Sequence, residues 1–265
     1  KKKVTFEWGP GAVFAPPLNT WRQHFNASGQ KPARLLVVTS APPVMSMFRN
    51  PEFIFNNSFA FNDRFDADAE SFSGAGVAYE RRGRQVWDTN LVSDVRTIEL
   101  HSSAKRGAGG SNIQIELAEN AMAVHISEFP VGTYKKAHRH GAGAHVIIIG
   151  GQGYSLMWPE GEAIKRFDWK DGSVVVPPER WFHQHFNTGA EPARYLAIRW
   201  GSQKYPRPWQ MKSYGIDESV KKGGAQIEFE DEDPIIRKMF EEALARNGLQ
   251  SRMTYKKSER RPDFA

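Results

Sequence analysis

The chain of 265 residues contains no cysteine. That absence removes disulfides, thiolate metal sites and thiol nucleophiles together, so a transition-metal site here must be built from histidine and carboxylate. Long apolar runs are missing too. No stretch approaches the roughly 18–20 residues of a membrane helix, and the N-terminal KKKVTFEW has the basic start of a signal peptide without its apolar middle. The expectation is a soluble, cytoplasmic protein with no membrane partner. Nucleic-acid motifs are absent as well. The net charge of +6 comes from 36 Lys and Arg against 30 Asp and Glu interleaved along the chain. Denser basic spots occur at Lys1–Lys3, Arg81–Arg84 and Lys256–Arg261, and no nucleic-acid partner is expected.

What the chain does have is 40% hydrophobic and 12% aromatic residues, enough for a packed core in one large domain or two small ones. Glycine and proline separate short apolar runs such as ARLLVVT, NIQIELA, AVHISEF, HVIIIG, YSLMW, SVVVPP and ARYLAIRW. This is the pattern of an antiparallel β-barrel or sandwich with short strands. One segment reads as a helix, residues 234–247. Asp233 is its candidate N-cap and Pro234 its first residue, Ile235, Ile236, Met239, Phe240, Ala243 and Leu244 recur at helical spacing, and Gly248 supplies the stop. The final SERRPDFA reads as a tail.

Two stretches resemble each other. Lys3 to Asn26 aligns without a gap on Ile164 to Asn187, placing Phe6 on Phe167, Trp8 on Trp169, Gly11 on Gly172, Pro16-Pro17 on Pro177-Pro178 and Gln23 to Asn26 on Gln184 to Asn187. The chain therefore holds parts of two copies of one fold, and as given it is expected to start inside the first.

Three of the eight histidines lie in AHRHGAGAH, Ala137 to His145. His138 and His140 are two apart, so on a strand both side chains leave the same face. His183 and His185 repeat that spacing further on. Two such pairs facing into a barrel present three or four imidazoles to one ion, at about 2.0–2.1 Å if it is zinc-like.

The spacing G-x5-H-x-H, here Gly132, His138 and His140, is followed by a glycine-bounded strand and a later PP…H segment. This resembles the two signature motifs of the cupin superfamily, over about Gly132 to Asn187. The resemblance implies an all-β cupin barrel (double-stranded β-helix, jelly-roll), and the N-terminal repeat extends it to a bicupin with an incomplete first copy. Within cupins the chain is similar to the gentisate and salicylate 1,2-dioxygenases in AHRH-x3-A, in the following I-x-G-x-G turn and in W-x-H-x-H. That similarity implies Fe(II) held by His138, His140 and His183, with His185 beside the ligands or facing the substrate.

The implied organisation is a partial N-terminal cupin repeat at 1–40, a connecting segment at 41–110 that wraps over the barrels, a metal-binding cupin at 111–200 and a C-terminal extension at 201–265. Arg22 stands where the second copy has His183, so the first copy is expected to hold no metal. Two departures from the family pattern bear on the site. Many cupins add a glutamate ligand where this chain has Ala144 and His145, which leaves His145 as a fourth ligand or a surface residue. The gentisate group grips its substrate's carboxylate with an arginine where this chain has Val146; Arg199 would supply a guanidinium instead, or pair at the surface. Trp158 and Trp181 are expected at the substrate, and with Phe182 and Phe186 to keep the pocket apolar.

Three neutral imidazoles leave a divalent ion its full charge and open positions. The leading expectation is an Fe(II) dioxygenase acting with O2 on a small aromatic or enolic acid, with His185 in a catalytic role. The alternatives are Mn, Ni or Zn serving a redox-neutral isomerase, lyase or decarboxylase, and a non-catalytic cupin binding a small ligand. A homodimer or larger homo-oligomer is expected.

Overall fold

Most of the short apolar runs become strands. A computed structural model of the chain describes residues 3–81, 83–103, 107, 109–141, 143–206 and 216–254. Lys1, Lys2, Arg82, Ala142, the basic run Lys256–Arg261 and the SERRPDFA tail lie outside the described residues. The chain forms two compact units. One comprises Lys1–Glu99, Ile113–Ile126 and Ala197–Trp209, the other Leu100–Asn112, Ser127–Leu196 and Gln210–Ala265.

In the first unit, β1 (Val13–Phe14) is followed by two short helices, α1 (Ala41–Phe48) and α2 (Pro51–Phe55), each with proline in its first turn, where the missing N–H costs nothing. Strands β2 (Gly76–Arg81), β3 (Arg84–Thr89) and β4 (Leu91–Val92) come next. β2 and β3 make an antiparallel hairpin, and Val86–Thr89 of β3 run parallel to Gln114–Leu117. The segment expected to connect the two copies, 41–110, holds these helices and this hairpin. β2 is exposed along its whole length, and its Val77 and Tyr79, two apart and so on one face, are exposed with it.

The repeat is only partly visible as structure. β1 pairs with β4 and corresponds in sequence to Val174–Val175, which is also a strand. Trp21 and Phe25, whose counterparts Phe182 and Phe186 are buried in a strand, are 84% and 75% exposed and belong to no strand. The Trp8 and His24 rings stand 6.3 Å apart, and their counterparts Trp169 and His185 both contact Ser155 Oγ.

The remaining strands are β5 (His101–Ser102), β6 (Ser111–Leu117), β7 (Met122–Phe129), β8 (His145–Gly150), β9 (Gln152–Trp158), β10 (Lys165–Lys170), β11 (Val174–Val175), β12 (Phe182–Asn187) and β13 (Ala193–Trp200). β6, β7 and β13 have residues in both units. The second unit contains an antiparallel sheet β10-β9-β12 and a second sheet in which β8 lies between β11 and β13. Gly153 on β9 has to be glycine, since a Cβ there would fall 1.9 Å from the Phe186 carbonyl oxygen and 2.7 Å from the Trp169 ring.

The C-terminal helix α3 (Pro234–Arg246) forms where the sequence places it. The Asp233 side chain caps the Ile235 N–H at 2.9 Å, and Gly248 follows at φ +69°. Ile236, Phe240, Ala243 and Leu244 turn inward onto Tyr134, Tyr154, Leu156, Trp158, Phe182 and Phe186, whereas Ile235 is exposed. The helix therefore covers one face of the β9–β12 pair. Phe240→Ala is expected to cost about 3–5 kcal/mol of stability by leaving a cavity, and Asp233→Ala about 1 kcal/mol by uncapping the helix. Chemical denaturation of the two variants checks both values.

Candidate metal centre

Strand β12 is buried at all six positions, and alternation divides it. Phe182 and Phe186 point into the cluster under α3, so His183 and His185 take the opposite face. On β9 the same rule sends Tyr154, Leu156 and Trp158 to the helix, and Ser155 sits directly opposite His185.

His138 is fixed by backbone pairing on both edges. Its N–H donates to the His183 carbonyl at 3.1 Å, and the His183 N–H returns the bond at 2.9 Å. On its other edge the Ala225–Ile227 segment runs alongside: Arg139 N–H donates to Ala225 and Ile227 N–H to Ala137, with a bridge from His138 to Gln226. His140 is anchored through its carbonyl, which accepts from the Arg180 N–H at 3.0 Å. Arg139 leaves on the other side, with its guanidinium over the Phe182 ring and paired to Glu160 at 2.7 Å. The motif's Gly132 holds φ +70°, and a Cβ there would come 2.6 Å from the Gln250 carbonyl oxygen.

These constraints bring His138, His140 and His183 together. Each offers a ring nitrogen, and the three nitrogens lie within 4.8 Å of one another. Ring centroids are 5.7 Å apart for His138–His140, 4.3 Å for His138–His183 and 4.9 Å for His140–His183. His138 Nδ1 lies 3.3 Å from the Lys136 carbonyl oxygen and His183 Nδ1 3.2 Å from that of Trp181. A carbonyl only accepts, so each contact places the proton on Nδ1 and leaves the Nε2 lone pair as the ligand atom. No carboxylate joins the cluster among the described residues. The donor set therefore fits one divalent ion of the first transition row held by three neutral imidazoles.

His185 is not in that set. Its ring lies 5.8 Å from that of His183, and its Nδ1 is 2.7 Å from Ser155 Oγ. Ser155 Oγ accepts from Trp169 Nε1–H at 3.0 Å, and His185 Nδ1 is the acceptor its own proton reaches. With Ser155 donating to Nδ1, the neutral His185 ring carries its proton on Nε2. Burial, then the charge of Lys135, then His140 push its pKa down to about 3, so it is neutral at ordinary pH.

The other candidates lie elsewhere. His145 is exposed at the start of β8 and is not part of the cluster. Trp158 is on the helix-facing side of β9, stacked on Phe182 at 5.7 Å, so these aromatics and Phe186 build the core under α3 and do not line the histidine face. Trp181 is half-buried just before β12, with Lys165 5.1 Å from its ring. Arg199 belongs to the first unit, where its charge acts on the part-buried Glu116. Two features went unseen in the sequence: the Ala225–Ile227 support, whose polar surroundings show no periodicity, and Lys135, which is buried beside His185.

No protein-family model matches the chain. Glucose-6-phosphate isomerase of Pyrococcus abyssi is 39% identical over 69 residues, which is 24% of this chain and 36% of that protein. The chain thus spans about a third of the length of the curated relatives it matches. Among solved structures, Lactobacillus farciminis oxalate decarboxylase in a formate complex is similar with TM-score 0.37 and 17% identity, over 43% of this chain and 34% of that one. The cupin domain of Schizosaccharomyces pombe Cnp3 is similar with TM-score 0.35 and 15% identity, over 42% of this chain and 69% of that one. Strands dominate the elements of this chain, as its sequence pattern implies, and its three clustered histidines could hold a metal ion. Among the described residues no helix is long and apolar enough to cross a membrane.

Replacing His183 by alanine is expected to abolish stoichiometric metal binding while leaving the far-ultraviolet circular dichroism of the sheet unchanged; elemental analysis of protein loaded with Fe(II), Mn or Zn checks it. His185 gives a pH prediction for the metal-free protein. Its imidazole titrates near 6.5 in the unfolded chain and near 3 in the folded one. Between these values the unfolded chain binds a proton that the folded chain refuses, so stability falls as pH drops through that window. The contribution is about 1.4 kcal/mol for each pH unit at most. Denaturation at stepped pH should show His185→Gln lacking that part of the slope.

Proposed function

We propose that this protein is a metal-dependent enzyme acting on a small organic acid, and that its reaction is an Fe(II)-dependent dioxygenation of an aromatic or enolic acid. The observation that carries this reading is a ligand set of three imidazoles with no carboxylate among the described residues. Because the ligands are neutral, the ion keeps its full positive charge and favours an anionic, chelating oxygen substrate. When bound, Fe(II) would supply adjacent positions for that substrate and for O2 and the electrons dioxygenation needs. The similarity of AHRH-x3-A and W-x-H-x-H to the gentisate and salicylate dioxygenases supports the same reading.

The chain's own residues divide the remaining work. His185 is neutral and turns Nε2–H away from Ser155, so it serves as a hydrogen-bond donor to an oxygen on which negative charge develops. It is too buried to become a cation that would repel the ion. Ser155 and Trp169 hold the imidazole in that tautomer, in the manner of the partners that orient metal-site histidines. Gly153 lets the Trp169 ring approach closely enough to take part.

A second reading keeps the ion as a Lewis acid in a redox-neutral isomerase, lyase or decarboxylase, and the 39% identity over 69 residues to an archaeal glucose-6-phosphate isomerase favours it. Metal exchange separates the two. Metal-free protein is reconstituted with Fe(II), Mn, Ni or Zn and assayed with a panel of aromatic acids, enolic acids and sugar phosphates under air and under argon. Dioxygenation predicts O2 uptake equal to substrate loss with Fe(II), none with Zn, and none in His138→Ala. Turnover that persists under argon with Zn would overturn it in favour of the second reading.

A further inference from the structure

Lys135 is one of a pair in GTYKKAHRH, and the two lysines go to different places. Lys136 is part-buried and ion-paired with Glu228. Lys135 is only 4% exposed. Its ammonium donates to Ser127 Oγ and, at 3.2 Å, to the Tyr195 hydroxyl, and it stands 5.1 Å from the Phe129 ring centroid and 4.7 Å from that of Tyr195. Ser127 spends its own proton on the Ser111 carbonyl at 3.2 Å, so it meets the lysine with a lone pair. Every partner is neutral. An ammonium has three donors, and the third has none among the described residues. A buried charge with neutral partners and a spare donor is costly unless an anion completes it.

The lysine is also well placed. Its backbone N–H donates to the His185 carbonyl at 3.1 Å, so the two residues are cross-strand neighbours whose side chains share a face. The Tyr195 ring lies 5.4 Å from that of His185, which in turn lies 5.8 Å from that of His183. A line of groups thus runs from Lys135 past Tyr195 and His185 to the three-histidine centre.

We infer that Lys135, held by Ser127 and Tyr195, is the seat for the carboxylate of a small organic acid whose far end lies at the three-histidine centre. This rests on the reading that the centre holds a metal and acts on such an acid, and it supplies the cation that the sequence withholds by placing valine at position 146. The seat holds one cation, which matches the single charge of a carboxylate better than the higher charge of a phosphate. It also gives the ligand a direction: charge at the lysine, reacting oxygens at the ion, and the His185 N–H between them.

The test measures binding, so it does not depend on turnover. Benzoate and inorganic phosphate are titrated at constant ionic strength into wild-type, Lys135→Met and Lys135→Arg protein, each metal-free and Mn-loaded, with thermal midpoint and calorimetric affinity as readouts. Benzoate should raise the wild-type midpoint in both metal states. Lys135→Met should be at least as stable as wild type without ligand and bind benzoate roughly tenfold or more weakly, the loss of one charge-assisted hydrogen bond, while Lys135→Arg retains binding. Equal benzoate affinity in wild type and Lys135→Met would overturn the assignment. So would stabilisation of wild type by phosphate but not by benzoate, a result that stands even if the variants do not fold. Protein that binds no metal yet binds benzoate through Lys135 would refute the metal reading alone. Protein that binds metal but holds benzoate without Lys135 would refute this assignment alone.

Discussion

The candidate site depends on a strand that is buried on both faces. β12 has no solvent side, so each of its residues must satisfy either the aromatic layer under α3 or the polar interior. Alternation gives Phe182 and Phe186 to the first and His183 and His185 to the second. A one-residue slip would put two imidazoles into the aromatic layer and two phenyl rings at the metal position, so register here is enforced by a large energy difference. The same strand also sets its neighbours. It pairs along β9 on one edge and with the Tyr134–His138 segment on the other, and that second pairing fixes His138 opposite His183 and Lys135 opposite His185.

Much of this was legible in the residues. Two H-x-H pairs without a cysteine anywhere leave few ways to hold a transition metal, and the proline-started, glycine-stopped pattern of α3 marks its ends to within a residue or so. What remained hidden needed registry between distant segments. Trp158 resembles a pocket residue until pairing with β12 shows which side of β9 it occupies. Lys135 and Lys136 look alike as a dipeptide, and only the strand geometry sends one to an ion pair and the other into the interior. The support from Ala225–Ile227 comes from far along the chain and carries no strand signature of its own.

The internal repeat shows why similar residues do not guarantee similar structure. Residues 164–187 become three strands, two of them paired with β9. The matching residues 3–26 keep only Val13–Phe14 as a strand, paired with β4, and among the described residues nothing takes the place of β9 beside Trp21 to Asn26. Strand formation is a property of the pair, because backbone donors and acceptors need a partner before the side chains can pack. The Trp8–His24 proximity is what local sequence preserves without that partner.

The electrostatics of the second unit bear on both functional readings at once. Three imidazoles bring no negative charge to the ion, His185 is kept neutral by burial, and Lys135 adds a positive charge with no carboxylate among its described partners. A divalent ion placed there would raise the positive potential further, in surroundings where charges are poorly screened. Such an interior stabilises an anion whatever the reaction, so affinity for acids cannot distinguish oxidation from isomerisation. The distinction lies in the ion: a dioxygenation requires one that can give up electrons, and a Lewis-acid reaction only one that attracts them. Imidazole ligands accept Fe, Mn, Ni and Zn alike, so under either proposed reading the choice between these chemistries falls to the ion and not to the three histidines.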